Sequence, residues 1–466
     1  MNSARRRLPR LYLEQLEQRD CPSLAITLSN GSLYISGFPT GAVSVTETAA
    51  NRLTVTDNGH SLGTYAVTGN LQMSLTNHPS TITVDLGGNT FTGNILLSLG
   101  NGGTNNPNIV STPPVTVQHG TVGGNVTFLG GNGTENENVG GPIGAPVPVT
   151  VRGYVQAVGK VSGGGDAGPG DTLIVNSGST VNGDVTTTQI DNVAVGQLGA
   201  ALTTVGGNVN VNDSGSGAAL IVNVFGNVGK SVSVGGTNFD DIFVLMPASA
   251  GVGGNITGNL TVSLGNSVGV LDPGDIFLLD VGTTVGGSAN LSTGSASGAG
   301  SQFTVSGAIF GSLTANLGSG NSTLAFNAGA TVLGNMSVTG GNGNSTVTAD
   351  GSVSGFLSFN LGNGNDTVTV GNAPGGQLRW TSGNGNDSVT FGDASNTPGG
   401  TWNVSMRFGT GNDTLTLAGN GTVATPNALT GFIDMGGPPG GNSFDPTGSL
   451  AAGTWVTVSP FTLQNV

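Results

Sequence analysis

From about residue 24 onward, apolar and small polar positions alternate in short runs separated by glycine. In FLSFNLGNGNDTVTV (356–370), Leu357, Phe359, Leu361, Val368 and Val370 fall on one side. Ser358, Asn360, Thr367 and Thr369 fall on the other. A period of two is that of a β-strand with one buried face. Each run is short, so one segment alone cannot cover its own apolar side.

The runs recur. LGNGNDTVTV (361–370), SGNGNDSVTF (382–391) and GTGNDTLTL (409–417) are the clearest copies, and LGSGNSTLAF (317–326) and GGNGNSTVTA (340–349) are weaker ones. Alignment on the residue after the asparagine gives Ser322, Ser345, Asp366, Asp387 and Asp413, with spacings of 23, 21, 21 and 26. The same slot continues backwards through Ser301, Asp275, Asp241, Ala218, Asp191 and Asp171. A second piece alternates with the first: VGGNVTF (122–128), VGGNVNV (205–211), ITGNLTV (256–262), VLGNMSV (332–338), VSGFLSF (353–359) and PGGTWNV (398–404). A unit of roughly 20–26 residues thus holds two short strands and two glycine-rich turns. Stacked copies would bury the apolar side and pair every strand edge. The fold expected is all-β, a parallel β-helix or β-solenoid of about 15–20 coils. At about 4.8 Å per coil this is a rod on the order of 70–95 Å. In this reading glycine supplies positive-φ turn positions, and asparagine and aspartate close turns by local hydrogen bonds.

The pattern divides the chain into a leader (1–23), irregular early coils (24–150), regular repeats (151–430) and a C-terminal cap (431–466). AITLS, SLYIS, AVSVTE, RLTVTD, TITVDL and NILLSL read as strands of the early coils, while PPVTV and the stretch 138–149 read as loops leaving the stack. GGPPGGNSFDPTGSL interrupts the repeat before a last strand pair, TWVTV and FTLQN, which would cap the open end.

Composition narrows the function. Gly is 85 and Pro 20 of 466 residues, charged residues are 8% and hydrophobic ones 36%, enough apolar content to argue against disorder. The net charge is −14, and five of the 11 basic residues (Arg5, Arg6, Arg7, Arg10, Arg19) lie at the N-terminus. So sparse a set of cations argues against nucleic acid as a partner. With one cysteine, Cys21, no internal disulfide can form, and no apolar run is long enough for a transmembrane helix.

The leader differs from everything after it. Leu11, Leu13 and Leu16, with Glu14 and Glu17, suit a short amphipathic helix. LYLEQLEQRDCPS resembles the LEPR-XLL-type N-terminal motif of planctomycete surface proteins, through Leu13, Glu14, Leu16, Glu17 and Arg19 and more loosely Pro22 and Ser23. Asp20 and Cys21 depart from it. The resemblance implies export to the cell surface or secretion; the repetitive polar face of the scaffold itself suggests other cells, extracellular polysaccharide or copies of the chain as partners.

Three chemistries are open at the turns and faces. GNGNDTVTV is similar to the calcium nonapeptide of RTX-type proteins, matching it at Gly362, Gly364, Asp366 and Val368, at Gly383, Gly385, Asp387 and Val389, and at Gly411, Asp413 and Leu415. The resemblance implies calcium at Asp366, Asp387 and Asp413. The repeat is too long for the nine-residue RTX period, and serine or alanine fills the slot at 218, 301, 322 and 345, so turn closure competes with metal binding. Rows of Thr346/Thr348, Thr367/Thr369 and Thr414/Thr416 resemble the ice-contacting faces of β-helical antifreeze proteins, or serve as ordinary solvent-facing strand residues.

A polysaccharide-active β-helix enzyme is the third. It would need paired carboxylates, for which Asp240–Asp241 or Asp272 with Asp275 are the candidates, and sugar-stacking aromatics, of which Trp380, Trp402 and Trp455 are the only tryptophans. His60, His78 and His119 have unrelated spacings, and no nucleophile or phosphate-loop motif is present. The reading is therefore a non-enzymatic structural or adhesive scaffold. Any ligand site belongs among residues outside the regular coil, near 133–150, 266–275 or 374–380.

Overall fold

The computed structural model describes residues 23–464 except 77–80, 100–113, 132–135, 142–145, 160–170, 214–218, 250–251, 267–273, 296–298, 393–399, 419–426, 438–441 and 446–454. The leader, with its amphipathic helix pattern and Cys21, lies outside them. The described residues contain strands and turns and no helix.

The chain is a parallel β-solenoid with three sheets, where the repeat pattern alone resolved two strands per unit. Sheets I and II hold 18 strands each and sheet III holds 11. One coil shows the course: Thr331–Val332 in sheet III, a corner at Leu333–Asn335, Met336–Thr339 in sheet I, the glycine-rich corner, then Thr346–Ala349 in sheet II. The next coil repeats it with Ser352–Val353, Leu357–Leu361 and Thr367–Val370, paired in parallel to the first. Sheet II is an open ladder. Its end strands, His60–Ala66 and Ser443–Asp445, each pair on one side only.

Strand alternation fixes the core. Leu357, Phe359, Leu361, Val368 and Val370 are buried as their parity requires. In register, Phe243, Phe277 and Phe303 form one column, with centroids 5.4 Å and then 6.3 Å apart. Trp380 lies 5.6 Å from Phe408, and Trp402 stacks on Phe391 at 5.0 Å. Both tryptophans are therefore core residues, which removes them as sugar platforms; the side chain of Trp455 lies outside the described residues. Two strands, Ile242–Leu245 and Ile276–Leu279, are aliphatic or aromatic on both faces, so Ile242, Val244, Ile276 and Leu278 point outward.

Coil length varies more widely than the expected range. Met336 stacks on Leu357 after 21 residues, but Ile95 stacks on Val126 after 31. Insertions between sheets I and II take up the difference.

The N-terminal strands fall where expected but are not simple coils. Ser23–Ser29 pairs antiparallel with Ser32–Phe38, and Val43–Ala49, Arg52–Asp57 and His60–Ala66 form an antiparallel meander at the edge of sheet II. PPVTV is not a loop: Pro114–Gln118 is a sheet II strand between Ile82–Asp85 and Asn136–Val139. Proline at the first strand position sacrifices no ladder donor, and Val115 and Val117 face the core. The stretch 138–149 likewise begins in one strand and ends in another. The described parts of TWVTV and FTLQN, WVTV and FTLQ, belong to one strand, Trp455–Gln464, the last rung of sheet I.

The corners explain the glycines differently from the turn argument. Gly93 has no positive φ, yet a Cβ there would lie 1.9 Å from the carbonyl oxygen of Gly69 one coil earlier. The corner backbone of one coil lies directly on the next, and a side chain would part them.

Candidate functional site

The slot read from the sequence forms a real column. Asp241, Asp275, Ser345, Asp366, Asp387 and Asp413 each directly precede a sheet II strand, Ser301 and Ser322 lie within the first residues of theirs, and successive strands stack in register. Ala218 lies outside the described residues; Leu220 occupies its place, just before Ile221–Val224. The column points inward. Asp241 and Asp413 are 0% exposed, and Asp275, Asp366 and Asp387 are 1% exposed.

The recurrent hydrogen bonds of the column run between coils, and Asp241 and Ser322 also close their own corners, with Thr237 and Leu317. Ser345 N–H donates to Asp366 Oδ1 at 2.7 Å, Asp366 N–H to Asp387 Oδ1 at 3.0 Å, and Asp387 N–H to Asp413 Oδ1 at 3.0 Å. Asp413 N–H donates to Asn442 Oδ1 at 2.9 Å, which extends the column by one rung. The earlier part repeats this: Leu220 N–H to Asp241 Oδ1 at 2.9 Å, and Asp241 N–H to Asp275 Oδ1 at 3.0 Å. Each carboxylate thus satisfies a buried backbone donor that the corner leaves without a strand partner.

The second oxygens differ. Both oxygens of Asp241 are bonded, to Leu220, Thr237 and Gly265. Oδ2 of Asp275, Asp366, Asp387 and Asp413 is buried with no hydrogen-bond partner. Burial accordingly raises the pKa of all five. Asp275 rises to about 7, with the charges of Asp241 and Asp240 adding to the rise. Asp366 rises to about 6, through burial and then, among the raising causes, the charge of Asp387. Asp241, Asp387 and Asp413 shift in the same direction, mainly by desolvation.

Two further ladders line the outside. At the corner before sheet I, Asn94 N–H donates to Asn70 Oδ1 at 2.9 Å, Asn125 to Asn94 at 2.8 Å and Tyr154 to Asn125 at 3.0 Å. The line resumes at Asp184 and runs through Asn208, Ser231, Asn259, Ser288, Ser312 and Asn335 to Phe356. At the opposite corner, Asn321, Asn344, Asn365, Asn386 and Asn412 form the same chain of contacts. The recurrent asparagine therefore locks coil to coil. On the outer face of sheet II, Thr346, Thr367, Ser388 and Thr414 make one file, and Thr348, Thr369, Thr390 and Thr416 make its neighbour.

The calcium expectation meets this geometry directly. Asp366, Asp387 and Asp413 do share one column, with three orphaned Oδ2 atoms. They are interior, each has one oxygen committed to a backbone N–H, and no cluster of three or more His, Cys, Asp or Glu able to hold a metal exists among the described residues. Calcium takes six to eight oxygens, and the described side chains do not supply such a set.

Two of the carboxylates offered for catalysis, Asp241 and Asp275, are buried in this column. Asp272 lies outside the described residues. His60 is exposed in a strand and His78 lies outside. His119 Nδ1 is 3.3 Å from Asp85 Oδ1, an outer pair in which Asp85 also accepts from Gly87 N–H and Gln118.

Of the three regions marked for a ligand site, 374–380 carries an exposed group. Arg379 Cζ sits 4.7 Å over the Phe356 ring, and Arg379 Nε donates to Gln377 Oε1 at 3.0 Å. In 133–150, Glu137 is 0% exposed and faces inward between Val115 and Leu173, a position the sequence reading missed. No family model, no curated protein and no solved structure matches the chain.

Proposed function

We propose that the chain is an exported cell-surface scaffold, structural or adhesive and without enzymatic activity. The observation that carries this reading is the placement of its ionisable groups. The acidic residues that recur in the repeat are turned into the core as coil-to-coil locks, while the outward files of the C-terminal sheet II strands are serine and threonine and the corner ladders are mostly asparagine and serine. A surface of that kind offers repeated weak polar contacts and no converging acid, base and nucleophile. The N-terminal LEPR-XLL-type resemblance supports export independently. Surface proteolysis of intact cells with fractionation tests it: the chain is expected in the envelope or medium and to be shaved from intact cells. Recovery wholly in the cytosol removes the proposal.

Calcium binding is the second reading, favoured by the orphaned Oδ2 atoms of Asp366, Asp387 and Asp413. Interior position and the absence of further described ligands weigh against it. The expected outcome is a melting midpoint unchanged by millimolar calcium. A rise of several degrees that disappears when the three aspartates are changed to asparagine would establish the metal instead.

A further inference from the structure

Among the chain's few cations, two converge on one face. Beyond the first 19 residues the basic residues are Arg52, Arg152, Lys160, Lys230, Arg379 and Arg407. Arg379 and Arg407 lie on neighbouring strands of sheet I, where Arg379 pairs with Ser405 and Thr381 with Arg407. Their Cα atoms are therefore one coil and two residues apart, about 8 Å. Both side chains are exposed. Upstream of Arg379 the outward file reads Thr314, Ser337 and Ser358, and upstream of Arg407 it reads Asn316, Thr339, Asn360 and Thr381, so each charge interrupts a neutral file.

Arg379 is held in place. Its guanidinium lies over the Phe356 ring and Nε is bonded to Gln377, which leaves the edge bearing the two terminal nitrogens to face outward. A guanidinium fixed by stacking and one hydrogen bond loses less entropy on binding, and its fork matches the two oxygens of a carboxylate or sulfate. Asp434, the register neighbour of Arg407, accepts Gly436 N–H.

Beside the arginines runs an exposed apolar edge. Phe310 is 54% exposed, Leu333 55% and Phe356 43%. Phe310 and Leu333 occupy the same corner position on successive coils, since their N–H groups donate to Val285 and Ile309, which are register partners. On the next coil Ser354 takes that position, and Phe356 lies two residues further along the same corner, in line with Asn335. These corner positions hold glycine or a polar residue on most other coils, with the exposed Tyr154 an early exception.

We infer that Phe310, Leu333, Phe356, Arg379 and Arg407 form a binding site for an acidic extracellular polysaccharide, its carboxylate or sulfate groups held by the arginines and its sugar faces resting on the apolar edge. The inference rests on the surface-scaffold reading and names the partner class of that scaffold. The net charge of −14 does not oppose it at short range. Screening at physiological salt confines repulsion to about 8 Å, and five of the counted acids are buried with raised pKa values.

The test is binding of the immobilised full-length protein to polygalacturonate, dextran sulfate and neutral dextran at low and physiological salt. At least tenfold tighter binding to one or both acidic polymers than to dextran is expected, weakening as salt rises. The pair Arg379→Gln with Arg407→Gln should abolish that preference, whereas Arg152→Gln, on an early coil, should not change it. Arg379→Lys keeps the charge but not the fork and should lose several-fold. Preference for polygalacturonate alone assigns carboxylate as the recognised group, and preference for dextran sulfate alone assigns sulfate. Equal binding to dextran, no binding to either acidic polymer, or a double variant that binds like the wild type with an unchanged melting curve would each overturn the site. Because the measurement uses purified protein, it stands whatever fractionation shows about location.

Discussion

Gly409→Ala is expected to cost about 3 kcal/mol or more, an unusually large loss for adding one methyl group. Gly409 needs no left-handed backbone. Its Cβ would lie 1.7 Å from the carbonyl oxygen of Gly383 and 2.5 Å from the carbonyl carbon, one coil earlier. That oxygen also accepts Thr410 N–H at 3.2 Å, so it cannot move aside without losing the bond. The coils must separate, and because each contacts only its neighbours, the damage stays local. Gly282 is the contrasting case: its φ is +83° and nothing lies within 4 Å of a Cβ, so Gly282→Ala should cost only the backbone strain, about 1 kcal/mol. Denaturant midpoints read both effects, and proteolysis between residues 380 and 415 reads the local opening at Gly409. Equal losses in the two variants would mean that stacking clash is not what selects glycine at the corners.

That contrast marks where the sequence was legible. Alternation identified the inward residues because a strand parity error would move every side chain to the wrong face. The third sheet was hidden because its strands are two residues long, as at Thr331–Val332 and Ser352–Val353, and so read as the start of a turn. The early antiparallel meander was hidden because pairing direction leaves no trace in alternation.

The acidic column was located but given the wrong environment. By residue type Asp366 reads as closing its own turn or holding calcium, although it shares parity with Val368 and Val370, just as Asp241 does with Phe243 and Leu245. Carrying the period two residues back into the turn would have placed both inside and replaced Ala218 by Leu220. Phe310, Leu333 and Phe356 sit in turns where no period applies, and only the stacking of coils brings Phe356 under Arg379.

The interior position of the column predicts an inverted response to pH. A carboxyl in the unfolded chain titrates near 3.9, whereas Asp275 titrates at about 7 and Asp366 at about 6 in the fold. Below pH 4 both states hold the proton and these groups contribute nothing to the pH dependence. Between pH 4 and the folded pKa the native state binds more protons than the unfolded state, so stability falls as pH rises. The loss reaches on the order of 4 kcal/mol for Asp275 and 3 kcal/mol for Asp366 at pH 8, shared along the ladder because neighbouring sites titrate together.

Protonation also gives Oδ2 a hydrogen to donate. The column already shows such donors at work: Ser322 Oγ donates to the Leu317 carbonyl at 2.7 Å, and Asn442 Nδ2 to the Met435 and Gly436 carbonyls at 3.0 and 2.8 Å. The chain should therefore melt higher at pH 5 than at pH 8. Asp275→Asn, which keeps the Oδ1 acceptor for Asp241 N–H, should flatten the profile and be the more stable protein at pH 8. Stability that climbs from pH 5 to pH 8, or an Asp275→Asn profile that overlays the wild type, would show that these carboxyls are ionised at no cost and that the column is not the dry interior described above.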